Sequence, residues 1–400
     1  MKKSHLIIAL ALYIISAVSA YSVMSYISPQ TGGKNSAKIA DPGADSEDGD
    51  TMLAALLDID PAAPKDQVCP LNGAMYTQAE KEAWEKKRPL FVMIENSPDA
   101  RPQSGLSQAD IVFEAIAEGG VTRFGAMYYC DAQAYDVTLA PIRSARTYFV
   151  DYASGFYRPL YVHVGGANVP GPTNALGQIG DYGWEMENDM NQFSIGYPTF
   201  VRNKNRVEGK KLATEHTMET STEKLWEVAA DRGWLNEAPA EINDTVVAGE
   251  KWTDLYSGWT FEEEPAEAGT VGKVAYDFWS GYSDYSVEWT YDSTMDKFLR
   301  THGGEEHIDL NNDKRIAAAN VVVLLTEETG PINEKKHMLY ETTGTGDALI
   351  FKHGDVVEAT WQKKTRRSEL QFVDAAGDPV EMARGLTWIS VIDMNNEVTY

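Results

Sequence analysis

The stretch that decides the fold is Asp110-Ile111-Val112-Phe113-Glu114-Ala115-Ile116-Ala117-Glu118-Gly119-Gly120-Val121-Thr122-Arg123-Phe124-Gly125-Ala126-Met127-Tyr128. Two runs of strand-forming residues flank a pair of glycines. Such a pair accepts the positive φ angles that a two-residue hairpin turn demands. With both glycines in the loop, Glu118 faces Val121, Ile116 faces Arg123 and Glu114 faces Gly125. Side chains alternate with period two along a strand, so these residues share one face. On that register Arg123 is diagonal to Glu114 and to Glu118, and Gly125 leaves space opposite Glu114. Ile111, Phe113, Ala115, Phe124, Ala126 and Tyr128 fall on the other face, as core. Two carboxylates and a guanidinium on one face suit an acid–base pair or an oriented arginine. They suit equally well a solvated ladder of cross-strand ion pairs, each worth about 0.2–1 kcal/mol.

Outward from the hairpin, the pattern mixes helices with strands. Residues 77–87 read as a helix with Thr77 and Glu80 as its capping box. Residues 90–95 read as a strand. Residues 144–154 read as a helix with Ser144 at its N-cap, which places Arg146 in the first turn and Arg143 just before it. A helix N-terminus offers free N–H groups and a positive dipole end, so two arginines there make an anion site. An arginine in a first turn opposes the dipole and calls for an acidic partner: Asp151, Glu114 or Glu118. His163 lies in Tyr161-Val162-His163-Val164-Gly165-Gly166, at the end of a strand where sites often form. It also reads as a hydrogen-bonded core histidine. His216, close in sequence to Arg202 and Arg206, precedes a helix that opens at Thr220 and runs to about 231. Beyond residue 269 the pattern is mostly β. Val287, Trp289 and Tyr291 alternate with polar neighbours, as do Val357, Ala359 and Trp361.

The fold class expected is therefore α+β, a mixed N-terminal α/β domain followed by a mostly β C-terminal one. Residues 1–27 are an apolar segment behind Lys2 and Lys3, read as an uncleaved transmembrane anchor with the N-terminus inside, or as a signal cleaved after Ala20. Both readings export residues 28–400. Residues 28–66 read as a disordered acidic linker, 67–235 as the first domain, 236–268 as an acidic connector and 269–400 as the second domain. The net charge is −25 and the pI about 4.6. Such a chain repels nucleic acid, and it meets the membrane through the N-terminal helix only. Cys69 and Cys130 allow one disulfide pairing, provided their Cα atoms approach within reach.

No nucleophile elbow, P-loop, H-E-x-x-H or C-x-x-C is present, and no cofactor or metal is expected. His302 and His307 stand near Glu305 and Glu306, but residues 301–313 read as a polar turn. Residues 361–367, Trp-Gln-Lys-Lys-Thr-Arg-Arg, form a local basic patch, read as a solvated turn or as a contact for an anionic surface polymer.

Several blocks resemble the YerB-type lipoproteins, a bacterial family of unknown function. They are Pro70-Leu71-Asn72-Gly73, Arg88 to Asn96, Ala100 to Leu106, Ala109 to Glu114, Glu118 to Arg123, Pro141 to Arg146 and Tyr161 to Gly166. In the C-terminal part they are Ala319 to Val323, the Gly344 to Gly354 stretch, Ala359 to Lys363 and Gly385 to Ile389. The resemblance covers roughly 300 residues in order and implies a membrane-associated surface protein. It supplies no catalytic residue. This chain lacks the family's lipidation cysteine, so a helical anchor is expected in its place. Two functions are compatible with these residues. One is an envelope protein that binds an anionic or cell-wall-derived ligand, or a surface protein, through Arg123, Arg143, Ser144, Arg146 and His163. The other is a hydrolase or transferase acting on a wall glycan, peptide or phosphodiester. It would use Glu114 or Glu118 with His163 as proton carriers and Arg143 and Arg146 as a clamp.

Overall fold

The strands that matter are, in chain order, β1 (Leu90–Glu95), β2 (Ile111–Glu118), β3 (Val121–Tyr128), β4 (Leu160–His163), β5 (Asp189–Asn191), β6 (Lys273–Tyr276), β7 (Val287–Asp292), β8 (Lys297–His302), β9 (Asn320–Thr326), β10 (Gly344–Lys352), β11 (Asp355–Lys363), β12 (Gln371–Val373), β13 (Thr387–Asp393) and β14 (Val398–Thr399). The helices that matter are α1 (Gln78–Trp84), α2 (Thr147–Ser154), α3 (Ala175–Asp181) and α4 (Thr222–Asp231). The computed structural model describes residues 54–400, apart from 238–239, 243–244, 248 and 264–266. The segment expected as anchor or signal, 1–27, lies outside the described residues. No described helix is long and apolar enough to cross a membrane.

Ten strands form one sheet in the order β5-β4-β1-β3-β2-β13-β9-β10-β11-β12. β13 runs parallel to β2 on one side and to β9 on the other. Ile111 therefore faces Thr387, and Glu114 faces Ser390. The central strands are covered on both faces, which is why β1 (Leu-Phe-Val-Met-Ile-Glu) and β9 (Asn-Val-Val-Val-Leu-Leu-Thr) are nearly continuous apolar runs. A second sheet carries β8-β7-β6-β14 in sequence of pairing. Val287 and Trp289 are buried along β7, as their alternation predicts. The fold is α+β, with few helices and a C-terminal part that is mostly β.

The acidic connector is packed rather than free. Trp252 donates its indole N–H to Phe156 O at 2.7 Å and stacks on Tyr256, and Trp259 donates to Leu370 O. Within the expected linker, Ala54–Ala55 pairs with Tyr135–Asp136, and Lys65–Val68 pairs with Met75–Thr77. The capping box of α1 forms as expected, with Glu80 accepting from Thr77 N at 2.7 Å.

Two expectations are corrected. First, the hairpin has its two-glycine turn, with φ of 55° at Gly119 and 87° at Gly120, but a bulge at Ala117 shifts the register by one residue. Glu118 still faces Val121, yet Ile116 faces Thr122, Ala115 faces Arg123 and Glu114 faces Phe124. A bulge inserts one unpaired residue and so moves every side chain beyond it to the other face. Glu118 and Arg123 keep a common face, and Glu114 is on the opposite one. Second, Ser144 is not an N-cap. Residues 143–146 are extended along the loop after β4, with Val164 N donating to Arg143 O and Ala145 N to Gly165 O. The Ser144 hydroxyl donates to Val164 O at 3.0 Å, and α2 starts at Thr147 with Arg146 in the cap position.

Candidate functional site

β1, β4 and β5 run parallel and end together, at Glu95, His163 and Asn191. In open α/β sheets such carboxyl ends are where ligands bind. The extended segment 143–146 crosses this rim on its way into α2. The sequence-derived candidates thus gather at one edge of the fold, with Glu114 as the exception.

Glu118 occupies the anion position expected near α2, and the anion is the chain's own. Its Oε1 accepts from Arg123 Nη2 at 2.9 Å, and its Oε2 pairs with Arg146 Nη2. Arg123 also donates to Ser144 O at 2.9 Å, and Arg146 to Ala145 O at 2.8 Å. Asp151, considered as the partner of Arg146, instead accepts from Gln178, Tyr182 and Thr342. Burial opposes the Glu118 charge, but the two guanidinium groups outweigh it and hold the carboxyl at about 2. Burial lowers the Arg146 pKa, with Arg123 acting in the same sense.

Glu114 belongs to a different, fully buried cluster between the two sheets. Its Oε2 accepts from Arg300 Nη2 at 2.6 Å and from the Trp388 indole at 3.2 Å. Its Oε1 accepts from Thr122 Oγ1 at 2.8 Å and from Asn96 Nδ2 at 3.3 Å. Arg300 reaches His307 Nδ1 at 2.7 Å, and His307 Nε2 faces Gln103 Oε1 at 3.0 Å. Burial, then Arg300 and Arg101, push both His302 and His307 well below the ordinary histidine range. A neutral ring with a free Nδ1 lone pair is what Arg300 needs as an acceptor. Residues 301–313, read as a polar turn, in fact bury both histidines. Phe298, Arg300 and His302 alternate with Lys297, Leu299 and Thr301, and the face that the first three share is the buried one.

His163 is wholly buried. Its Nε2 lies 2.5 Å from Asp189 Oδ1 and its Nδ1 lies 2.6 Å from Gly165 O. Both ring nitrogens are engaged, which leaves neither for a substrate proton. Glu114, Glu118 and His163 therefore do not form an acid–base set in this geometry.

Arg143 differs from its neighbours. Its Nε lies 3.2 Å from Glu95 Oε1, a charge contact without hydrogen-bond alignment. Glu95 is shared with His216 Nδ1 at 2.9 Å. Neither Nη of Arg143 has a hydrogen-bond partner among the described residues, and the side chain is 27 % exposed. Just after β5, Phe193 in the one-turn helix Gln192–Ile195 and Tyr197 beyond it are 75 % and 83 % exposed. The Phe193 ring lies against Gly165, where a Cβ would come within 3.0 Å of it. Sequence reading did not single out these two aromatics, because a single helical turn is too short to carry a periodicity.

Residues 76–235 match the N-terminal domain of "Protein of unknown function (DUF3048)", and residues 274–389 match its C-terminal domain. The chain belongs to the DUF3048 family. It is 28% identical over 341 residues to a Bacillus subtilis protein named "Putative lipoprotein YerB", covering 83% of this chain and 88% of that one. It is also similar to the crystal structure of YerB from Bacillus subtilis, with a TM-score of 0.62 and 25% identity, over 84% of this chain and all of that one. In this DUF3048 chain the two family domains contribute strands to a single sheet, joined where β2 meets β13.

The Glu118 cluster gives this DUF3048 protein a definite acid response. The carboxyl is held at about 2, below its ordinary value of 4.5, so its stabilisation is complete above about pH 4.5. It is lost as the pH falls through about 2. The expected stability difference between wild type and Glu118→Gln is on the order of 2–3 kcal/mol at neutral pH. It shrinks across the window from pH 4.5 to 2. Urea titrations of both proteins at several pH values measure it, and a difference that stays constant with pH contradicts the assignment.

Proposed function

We propose that this protein is a membrane-attached, extracytoplasmic binding protein of the cell envelope, taking an anionic wall-derived ligand at the rim formed by the ends of β1, β4 and β5. The observation that carries the reading is Arg143. Arg123 and Arg146 are both paired with Glu118, whereas Arg143 presents two Nη groups without a hydrogen-bond partner among the described residues, beside Glu95. A guanidinium fork of that kind suits a carboxylate or phosphate oxygen pair. The exposed rings of Phe193 and Tyr197, on the segment that follows β5, offer apolar faces for a sugar or lactyl group. The relative named as a lipoprotein supports an envelope location. The apolar segment behind Lys2 and Lys3 supplies a tether without a lipidation cysteine.

Soluble wall fragments bearing free carboxylates, and the same fragments after amidation, test this reading by calorimetry on the full chain. The carboxylate form binds and the amidated form does not. Arg143→Ala weakens binding by about tenfold or more, as expected for a charge-assisted hydrogen bond. Equal affinity of the two fragment forms, or of wild type and Arg143→Ala, removes the proposal.

A further inference from the structure

Residues 201–216 stand apart electrostatically. On a chain of net charge −25 they hold five cations (Arg202, Lys204, Arg206, Lys210, Lys211) against Glu208 and Glu215. The loop is anchored from beneath. Arg206 donates to His216 O at 2.8 Å, to Pro102 O at 2.7 Å and to Ala100 O, and Lys210 donates to Arg101 O at 3.0 Å. Two cations are thus spent on shape, and the others are left at the surface. Lys204 and Lys211 are exposed, as is Lys224 on α4. None of the three has a hydrogen bond or ion pair among the described residues.

These lysines line a trough rather than a flat face. One cleft of about 520 Å³ is lined by Arg202, Lys204, Asn205, Glu219 and Lys224 among others. A second, of about 710 Å³, is lined by Lys204, Asn205, Lys210, Lys211 and Thr214 among others. The two linings share Lys204 and Asn205, so the clefts adjoin as one channel over which the three lysines are spread.

We infer that this channel binds a linear polyanion whose repeating charges are phosphate groups. Elongation favours a flexible chain over a single small anion. Concavity favours a chain over the flat surface of a bilayer. The free groups are ammoniums, compact charges that suit phosphate oxygens. The one guanidinium in the lining, on Arg202, donates through Nη1 to Thr214 O at 2.6 Å and is partly committed within the chain. Against the chain's general negative charge, this local positive field also guides such a polymer to this face. The site is separate from Arg143 and goes beyond the reading of that residue.

Long-chain polyphosphate is the probe, with the full-length protein titrated at several salt concentrations. Binding is expected to weaken steeply with salt, because each lysine–phosphate contact releases counterions. The triple variant Lys204→Ala, Lys211→Ala, Lys224→Ala should bind at least tenfold more weakly at low salt. It should lower the salt slope by about 2, at roughly 0.7 per contact. All three residues are exposed, and an unchanged melting temperature confirms that the variant is folded. Lys86→Ala, at an exposed lysine outside both clefts, leaves the slope unchanged. Four results overturn the inference: an unaltered triple variant, orthophosphate binding as tightly as the polymer, stronger binding to polyglutamate or to phosphatidylglycerol vesicles, and loss of polymer binding in Arg143→Ala.

Discussion

Replacing Glu114 with alanine lowers the unfolding free energy of this protein by about 3–5 kcal/mol. Glu114 and Arg300 have side chains with no exposure at all, and they come from the two different family domains. The Arg300 guanidinium sits 4.5 Å from the Trp388 ring, and its Nε already lacks a partner. His302 and His307 are kept neutral by burial and by the arginines, so neither supplies a counter-charge. Removing the carboxylate leaves a buried cation with nothing to balance it, which is the expensive way to break an ion pair. Glu114→Gln preserves shape but not charge, so it should lose nearly as much. The double variant Glu114→Leu, Arg300→Met removes both charges and should recover much of the loss, since apolar replacements of a buried pair are often neutral. Urea denaturation of the four proteins measures this. An alanine variant within about 1 kcal/mol of wild type contradicts the account.

That pair also shows where the sequence stopped being informative. The strands were legible because central strands are buried on both faces, so β1 and β9 are unbroken apolar runs. The turn was legible because Gly119 and Gly120 both need positive φ. The bulge at Ala117 was not, because a bulge is set by what each strand packs against and has no local signature in Ala-Ile-Ala. One unpaired residue then separated Glu114 from Arg123, and so divided a cluster that a regular ladder had joined. The true partner of Glu114 is 186 residues away, on a strand whose buried face carries Arg300 and His302 beside Phe298. Hydrophobic periodicity cannot report such a face. At the rim the candidates gather, but their division of labour depends on Glu118 reaching both Arg123 and Arg146. Only Arg143 is left over, and no spacing rule distinguishes it from the other two.

Removing the disulfide should cost nearly as much as removing Glu114. Cys69 and Cys130 are bonded, with Cα atoms 6.0 Å apart and a sequence separation of 61. Closing a loop of that length restricts the unfolded chain by about 4 kcal/mol in the chain-entropy account. The surroundings are built to hold the two ends independently of the bond. Asp110 accepts from Tyr129 N at 2.6 Å, from Cys130 N at 3.1 Å and from Asn72 Nδ2 at 2.6 Å. Burial raises the Asp110 carboxyl to about 8, with Asp131 adding to the effect and those backbone donors opposing it. The paired variant Cys69→Ala, Cys130→Ala should therefore keep its fold and lose about 3–4 kcal/mol, read as a lower urea midpoint at unchanged slope. Both sulfurs are fully buried, so reductant without denaturant should expose no thiol to alkylation, whereas reductant with denaturant should expose two. A paired variant as stable as wild type would show that native packing alone holds these ends. The expected loss bears on location as well. Such a bond persists only where the compartment is oxidising, so a copy of the chain retained in a reducing cytoplasm would forgo that stabilisation.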